Sequence, residues 1–372
     1  MTPKRIPSSA KNRGTDYVVV VLTALLVTFG LAMLASASSN LSRIVAGDTL
    51  YYLKHQIFYG LSLGTLGFLA ASAIHYKRYE RFAALGMIVG IALLALTFTP
   101  LAFQTKGAAR WVHAGPITFQ PSEPLKIFFV IYLAAWLSGS RMRERHGHGG
   151  FAAFLAILGL VLGLLVKQPA TSAAMLVGLI AIIMYFASGA RFVYLPVILG
   201  LLAGGFALAV FLAPYRMARI EAFFHPETNT QTSGYQVNQA KNAIGHGELL
   251  GVGYGQSTTK INYLPEPLGD SIFAVIGEEL GFIGTISLIG LLFALVTHIF
   301  LLALKTREQF GQLLLVGFGS TLGIQSFVNI AAISGLMPLT GMSLPFISYG
   351  STALAVFMTM MGVVNNISKH AA

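Results

Sequence analysis

The sequence predicts an all-α integral membrane protein: ten transmembrane helices, N and C termini cytoplasmic, and a large extracytoplasmic loop between spans seven and eight. Three observations carry that prediction. The 372 residues are 55% hydrophobic and only 10% charged, far more apolar than an ordinary soluble domain. Long runs lack any Asp, Glu, Lys or Arg, and each can supply the ~20 helical residues that cross a bilayer. Basic residues recur in alternate connections, which orients the chain by the positive-inside rule.

In order, the charge-free runs are 17–42, 55–76, 82–105, 146–166, 168–190, 192–215, 280–304 and 309–368. Gly335-Leu-Met-Pro-Leu-Thr-Gly341 splits the last run in two. Residues 121–140, which carry Glu123 and Lys126 near their start, complete the ten. The first run exceeds the ~7–15 residue core of a signal peptide, although Ala35-Ser-Ala37 mimics a cleavage site. It reads as a retained span.

Lys4, Arg5, Lys11 and Arg13 precede span one, and Lys77, Arg78 and Arg81 follow span two. Arg141, Arg143 and Arg145 follow span four. Arg191, Lys305, Arg307 and Lys369 mark later positions on the same, inner side. The formal charge of +11 therefore reads as topology and attraction to anionic lipid, not to nucleic acid. Zero cysteines exclude disulfides and thiolate metal sites. Residues 1–372 read as one polytopic membrane domain, with 215–269 as the large outer loop within it. A loop of that length usually carries function.

Three outer pieces bear the candidate chemistry. Lys106-Gly-Ala-Ala-Arg110-Trp111 is followed by Phe119-Gln-Pro-Ser122-Glu123-Pro-Leu-Lys126. Glu123 and Lys126 share a helical face at i, i+3. Such a pair is either a structural clamp for span four or, since charge inside a membrane is costly, part of a functional site. Arg110 beside Trp111 suits a phosphate through charge-assisted hydrogen bonds, or an interfacial anchor. The second piece is Tyr263-Leu-Pro-Glu-Pro-Leu-Gly-Asp270, where a lone acid ends the polar segment and an apolar run begins. Asp270 suits either a helix N-cap or a base at the membrane–water boundary. Glu278 and Glu279 lie ~12 Å deeper on a helix, which favours packing or polar bridging over chemistry. The third piece, Ser343-Leu-Pro-Phe-Ile-Ser-Tyr349-Gly350-Ser351, breaks the last apolar run. Irregular backbone at that depth must be buried in protein or line a cavity.

Other signals are weaker. His146 and His148 lie in a basic inner loop with Arg141, Arg143 and Arg145, a poor setting for a metal ion. Gly251, Gly253 and Gly255 do not form a phosphate loop, because no helix-opening lysine follows at the required spacing. They suit tight turns and close backbone contact.

Taken together these motifs resemble the SEDS family (shape, elongation, division and sporulation), whose members include FtsW, RodA and SpoVE. Four motifs carry the resemblance: Lys106-Gly-x-x-Arg110-Trp111; Phe119-Gln-Pro-Ser-Glu123-x-x-Lys126; Leu264-Pro-Glu-x-x-x-Asp270-x-Ile-Phe273 with Glu278-Glu279-Leu-Gly281; and Pro345-Phe-Ile-Ser-Tyr-Gly350. Tyr215-Arg-Met-Ala-Arg-Ile220, Ser233-Gly-Tyr-Gln236, Gly253-Tyr-Gly-Gln-Ser257-x-x-Lys260 and Pro338-Leu-Thr-Gly341 read more like FtsW and SpoVE than RodA. Three positions depart from the family pattern. Gln168-Pro169-Ala170 lacks the usual acid after span five, Gly269-Asp270-Ser271 changes the neighbours of the key aspartate, and Gly350-Ser351 replaces a glycine pair.

The resemblance implies a peptidoglycan glycosyltransferase that polymerises lipid II, the undecaprenyl-pyrophosphate-linked disaccharide peptide, on the outer face of the bacterial cytoplasmic membrane. It implies a role in cell division, with a RodA-type elongation role as the alternative. On this reading Asp270 is the base. Arg110 and Lys126, the latter positioned by Glu123, face the pyrophosphate, and Lys106, Trp111, Ser257 and Lys260 belong to the substrate-binding set. A divalent cation such as Mg or Mn is a further candidate for that task, though the sequence shows no ligand cluster for one. Implied partners are a class B penicillin-binding transpeptidase and division regulatory proteins. The rival from another class is a lipid II flippase, which suits ten spans and intramembrane charge equally. The polar residues cluster on the outer half, which favours surface chemistry.

Overall fold

The computed structural model describes residues 14–105, 108–114, 117–139, 148–189, 192–211, 214–224 and 233–370. The chain begins with α1 (Tyr17–Ala46), α2 (Tyr51–Ala73) and α3 (Lys77–Phe98). A small sheet follows: β1 (Ala102–Thr105), β2 (Ala108–Ala114) and β3 (Ile117–Phe119). Next come α4 (Ser122–Ser138), α5 (His148–Lys167), α6 (Thr171–Ala187), α7 (Leu195–Phe211), α8 (Pro214–Phe224) and α9 (Ser233–His246). The last three are α10 (Ile272–Lys305), α11 (Gln309–Ile333) and α12 (Ser351–His370). Among the described residues, six helices are long and apolar enough to cross a membrane: α1, α2, α3, α10, α11 and α12. The protein is a multi-pass membrane protein. Arg141, Arg143, Arg145, Arg191, His146 and the basic residues before Gly14 lie outside the described residues.

The all-α expectation needs one correction. The three strands form an antiparallel sheet in the order β1-β2-β3. The third apolar run therefore stops being helix at Phe98, and its last residues enter β1. Alternation of Phe103, Trp111, Val112 and Phe119 along short paired segments supplies the strand character.

Local chemistry sets the helix ends. Asp16 caps α1 by accepting from Val18 N and Val19 N at 3.0 and 3.4 Å, and Gly47 closes it in the left-handed region at φ 68°. Glu308 caps α11 in the same way. Small residues let helices approach closely, as membrane helix pairs require. Gly60, Gly64 and Gly67 of α2 face Ser351, Met358 and Thr359 of α12, and Gly86 and Gly90 of α3 face Phe128 of α4. α11 lies at the centre, nearly enclosed by α4, α6 and α10.

One end of the bundle is tied by Asp16. Its carboxylate meets His298 Nε2 at 2.9 Å and its N–H donates to Asn365 at 3.2 Å. Tyr76 N donates to Asn366 at 2.8 Å at the same end. At the other end sit the sheet, the segments between α7 and α10, and the irregular chain from Ser334 to Gly350.

α10 is not one continuous helix. Gly281 stands at φ 64°, ψ −160°, a conformation open to glycine alone. The Gly247–Gly253 stretch is laid across the break. Val252 N and Gly253 N donate to the freed carbonyls of Glu278 and Glu279 at 2.9 and 3.1 Å. Phe282 N and Ile283 N donate to Glu248 O and Leu249 O at 2.9 and 3.2 Å. The glycine-rich stretch thus supplies the backbone partners that a broken helix lacks at membrane depth.

Candidate active site

Asp270 ends the turn Glu266–Asp270, two residues before α10 begins. Glu266 O accepts from Gly269 N and Ser271 N at 3.1 and 3.3 Å, which closes that turn. Three other elements hold it. Asn329 of α11 donates to Asp270 O at 2.9 Å. Ser348 Oγ donates to Gly269 O at 2.7 Å, and Tyr349 N donates to Leu268 O at 2.8 Å. The carboxyl itself accepts from Gln236 Nε2 of α9 at 3.2 Å. It also borders Gly341, where a side chain would come 3.8 Å from Asp270 Oδ2 and 3.9 Å from Arg219.

The residue keeps some open surface, yet protein crowds its carboxyl. Burial pushes its pKa up to about 6, and the charge of Glu266 adds to the rise. Arg219, a backbone hydrogen bond and Gln236 pull the other way and are outweighed. Asp270 is thus a carboxylate at neutral pH with more basicity than a free aspartate.

Beside Arg219 opens a cavity of ≈ 930 Å³ between α5, α6 and α7. Its length is apolar, and Gly159, Gly163 and Gly205 leave open space along it. One end carries Arg110, Arg216 and Arg219, and the described lining holds no carboxylate. Backbone carbonyls orient the guanidiniums. Arg110 donates to Pro169 O, Arg216 to Val166 O at 3.4 Å, and Arg219 to Leu339 O at 3.4 Å. The hydroxyls of Thr171 and Thr340 line the same end. These hydroxyls and the amide of the nearby Gln168 are buried with no protein hydrogen-bond partner among the described residues. Unpaired buried polar groups are costly unless something else meets them. Ala170, which stands where the resembled motif has an acid, adds no negative charge at this end.

The remaining sequence-derived candidates are dispersed. Strand alternation puts Arg110 and Trp111 on opposite faces of β2, so these chain neighbours do not share a site. Lys126 is sealed inside. Its Nζ lies 2.8 Å from Glu123 Oε2, donates to Gln325 Oε1 at 2.8 Å, and stands 5.3 Å from the Phe357 ring centre. Gln325 donates in turn to Ser343 O at 2.9 Å, so the Glu123–Lys126 pair braces the irregular segment next to Asp270. Ser257 and Lys260 face the broken helix. Ser257 donates to Glu278, while Lys260 pairs with Glu279 at 2.5 Å and with Ser36 at 2.9 Å. Lys106 lies outside the described residues.

Sequence reasoning quoted Arg216, Arg219 and Gln236 within motifs but gave them no role at the site, and it passed over Gln325 and Asn329. A signal existed for the last two, as Gln325 and Asn329 are four apart on one face of an otherwise apolar helix. Among the described residues no group of three His, Asp or Glu side chains converges to hold a metal ion. Among the described residues the acids at this site are Asp270 and Glu266.

Comparison with known proteins now bears on this arrangement. The family FTSW_RODA_SPOVE, described as "Cell cycle protein", matches residues 16–372. The chain belongs to this family. The "Probable peptidoglycan glycosyltransferase FtsW" of Trichlorobacter lovleyi is 37% identical over 357 residues, covering 95% of this chain and 93% of that protein. "Stage V sporulation protein E" of Bacillus subtilis is 33% identical, covering 97% and 99%. A solved structure described as "Structural coordination of polymerization and crosslinking by a peptidoglycan synthase complex" superposes with a TM-score of 0.79 at 28% identity, covering 95% of this chain and 98% of its own. Family membership and fold therefore agree along almost the whole chain.

Proposed function

We propose that this protein is an FtsW-type peptidoglycan glycosyltransferase that polymerises lipid II at the outer face of the cytoplasmic membrane, in the septal wall of dividing cells. The observation that carries the reading is the contact between Asp270 and the arginine-lined end of the apolar cavity, made through Gly341 and Arg219. A lipid-linked pyrophosphate matches that cavity in kind: a long apolar chain for the groove between α5, α6 and α7, and an anion for its cationic end. The named relatives support the same chemistry.

In the reaction, an acceptor sugar hydroxyl attacks the anomeric carbon of a second, lipid-linked sugar. The new C–O bond forms as the bond to the pyrophosphate breaks, with inversion at that carbon. The hydroxyl proton passes to Asp270 and then to water. The electron pair of the broken bond leaves with the lipid pyrophosphate, whose growing charge Arg110, Arg216 and Arg219 stabilise. Thr171, Thr340 and Gln168 offer neutral hydrogen bonds beside them. Glu123 and Lys126 act at one remove, by fixing the Ser343 segment through Gln325. Were a divalent cation shared with the substrate pyrophosphate, Asp270 and Glu266 are the described carboxylates at this site that would hold it.

Ten spans with cytoplasmic termini follow from this assignment. α4, α5, α6 and α7 join the six longer helices, and Asp270 faces outward with the sheet and the 215–269 loop. The peptidoglycan synthase complex among the structural relatives supports a class B penicillin-binding transpeptidase as the partner. The direct test is polymerisation of labelled lipid II by purified protein. Asp270→Asn should abolish polymer while thermal unfolding stays unchanged, and an unchanged polymer yield would remove Asp270 from the base role.

A further inference from the structure

The turn that carries Asp270 borders a second feature besides the arginine-lined cavity. Glu266, which opens its turn, is close enough to interact electrostatically with Tyr52 at the start of α2. Tyr52 belongs to a chain of rings. Its centroid lies 5.2 Å from Tyr51 and 5.1 Å from Tyr349, both edge-on. Tyr349 continues to His55 at 6.0 Å, and His55 to Tyr59 at 4.6 Å. The Tyr349 hydroxyl also meets His55 Nδ1 at 3.1 Å.

This row is fastened to the turn that carries Asp270. Tyr349 N holds Leu268 O at 2.8 Å, and the preceding Ser348 holds Gly269 O. On the α2 side, Gln56 Oε1 accepts from Gly350 N at 3.1 Å. Gln56 begins a π-helical turn, Gln56–Leu61. Such turns insert one extra residue and recur at functional sites. The outer end of the row is open, since Tyr51 is 42% exposed. An interfacial belt also places tyrosines near this depth. A belt, however, does not demand contiguous rings bonded to the turn that ends in the base.

We propose that Tyr51, Tyr52 and Tyr349 form the platform on which the acceptor sugar rests while its hydroxyl meets Asp270. This inference rests on the glycosyltransferase reading and adds the acceptor subsite to it. Pyranose rings present faces of C–H groups that pack on aromatic rings, whose negative π faces attract their positive edges. The Tyr52 hydroxyl and the Glu266 carboxylate then supply polar partners for sugar hydroxyl and amide groups. The lipid pyrophosphate of the donor keeps the arginine-lined cavity, so the two sugars approach Asp270 from different linings.

The test uses the full-length protein in lipid nanodiscs, with any transpeptidase that co-purifies, and labelled lipid II as substrate. Tyr51→Ala and Tyr52→Leu should raise the half-saturating lipid II concentration roughly tenfold, equivalent to ~1.4 kcal/mol. Maximal rate should change less than about twofold, the signature of lost binding and not lost chemistry. Product strands should shorten, and Tyr51→Phe, which keeps the ring, should restore wild-type behaviour. Tyr51 is exposed, so its truncation leaves the packed helices intact, and unchanged thermal unfolding checks this. Unaltered half-saturation and strand length in both Tyr51→Ala and Tyr52→Leu would overturn the platform alone. A wild-type protein that makes no polymer would overturn the glycosyltransferase reading, and the platform with it.

Discussion

At the scale of single residues, the behaviour of Asp270 is set by what surrounds its carboxyl. Burial and Glu266 raise its pKa to about 6, against Arg219 and Gln236. As a base it works only when ionised, so kcat/KM should fall as pH drops through about 6, well above the range of an ordinary aspartate. The sign of each neighbour can be checked. Gln236→Leu removes a donor that favours the anion and should move the acidic limb to higher pH. Glu266→Gln removes a like charge and should move it to lower pH. A limb that stays in place in both variants would show that another group titrates there. Sequence alone singled out Asp270, because a lone acid at an apolar boundary is conspicuous. It could not reveal the pKa, which depends on Gln236, 34 residues away in the chain, and on Arg219.

At the scale of elements, the broken helix explains why a polar cluster sits deep in the bundle. Lys260, Glu279 and Ser36 join the 215–269 loop, α10 and α1 in one buried network. Ser257 and Thr259 hold Glu278 alongside, with Thr259 Oγ1 at 2.8 Å. These bonds fix the short first half of α10, whose start carries Asp270. Removing one member strands a buried charge. Lys260→Met should therefore cost about 3–5 kcal/mol, whereas the double replacement Lys260→Met with Glu279→Leu should recover most of that loss. Thermal or denaturant unfolding in detergent measures both, and a double variant no better than the single one would mean that the pair is not coupled. The sequence placed Glu278 and Glu279 in polar bridging. It gave no hint that Gly281 interrupts the helix, since an isolated glycine in an apolar run usually leaves the helix continuous.

At the scale of the whole molecule, the fold gathers one end for chemistry and the other for anchoring. Asp16, His298, Asn365 and Tyr76 tie one end. Asp270, the sheet and the arginine-lined cavity occupy the other. The proposed topology makes these the inner and outer faces. The chain has no cysteine, so single substitutions report cleanly. Tyr263→Cys, at an exposed position near Asp270, should react with a membrane-impermeant maleimide added outside intact cells. Lys77→Cys should react only after the cells are opened. The reverse pattern would invert the protein and end the outer-face assignment.

What the sequence determined by itself follows from solvent. A long run without charge favours helix whatever its distant contacts, so the membrane class, the six longest spans and the family were legible in one dimension. Among the described residues the apolar runs fell mainly on helices, apart from the irregular Ser334–Gly350 and the strand at Ala102–Thr105, where a short apolar segment does not declare its period. What only the tertiary structure decided is which polar groups meet. Arg110 and Trp111 were parted by a strand's alternation, Lys126 was closed in by Gln325 and Glu123, and Lys260 was turned toward Glu279. Arg216 and Arg219 were brought to the cavity from a helix that the sequence showed only as part of a loop. Side-chain partnership across hundreds of residues is fixed by packing, and packing leaves no local pattern in the chain.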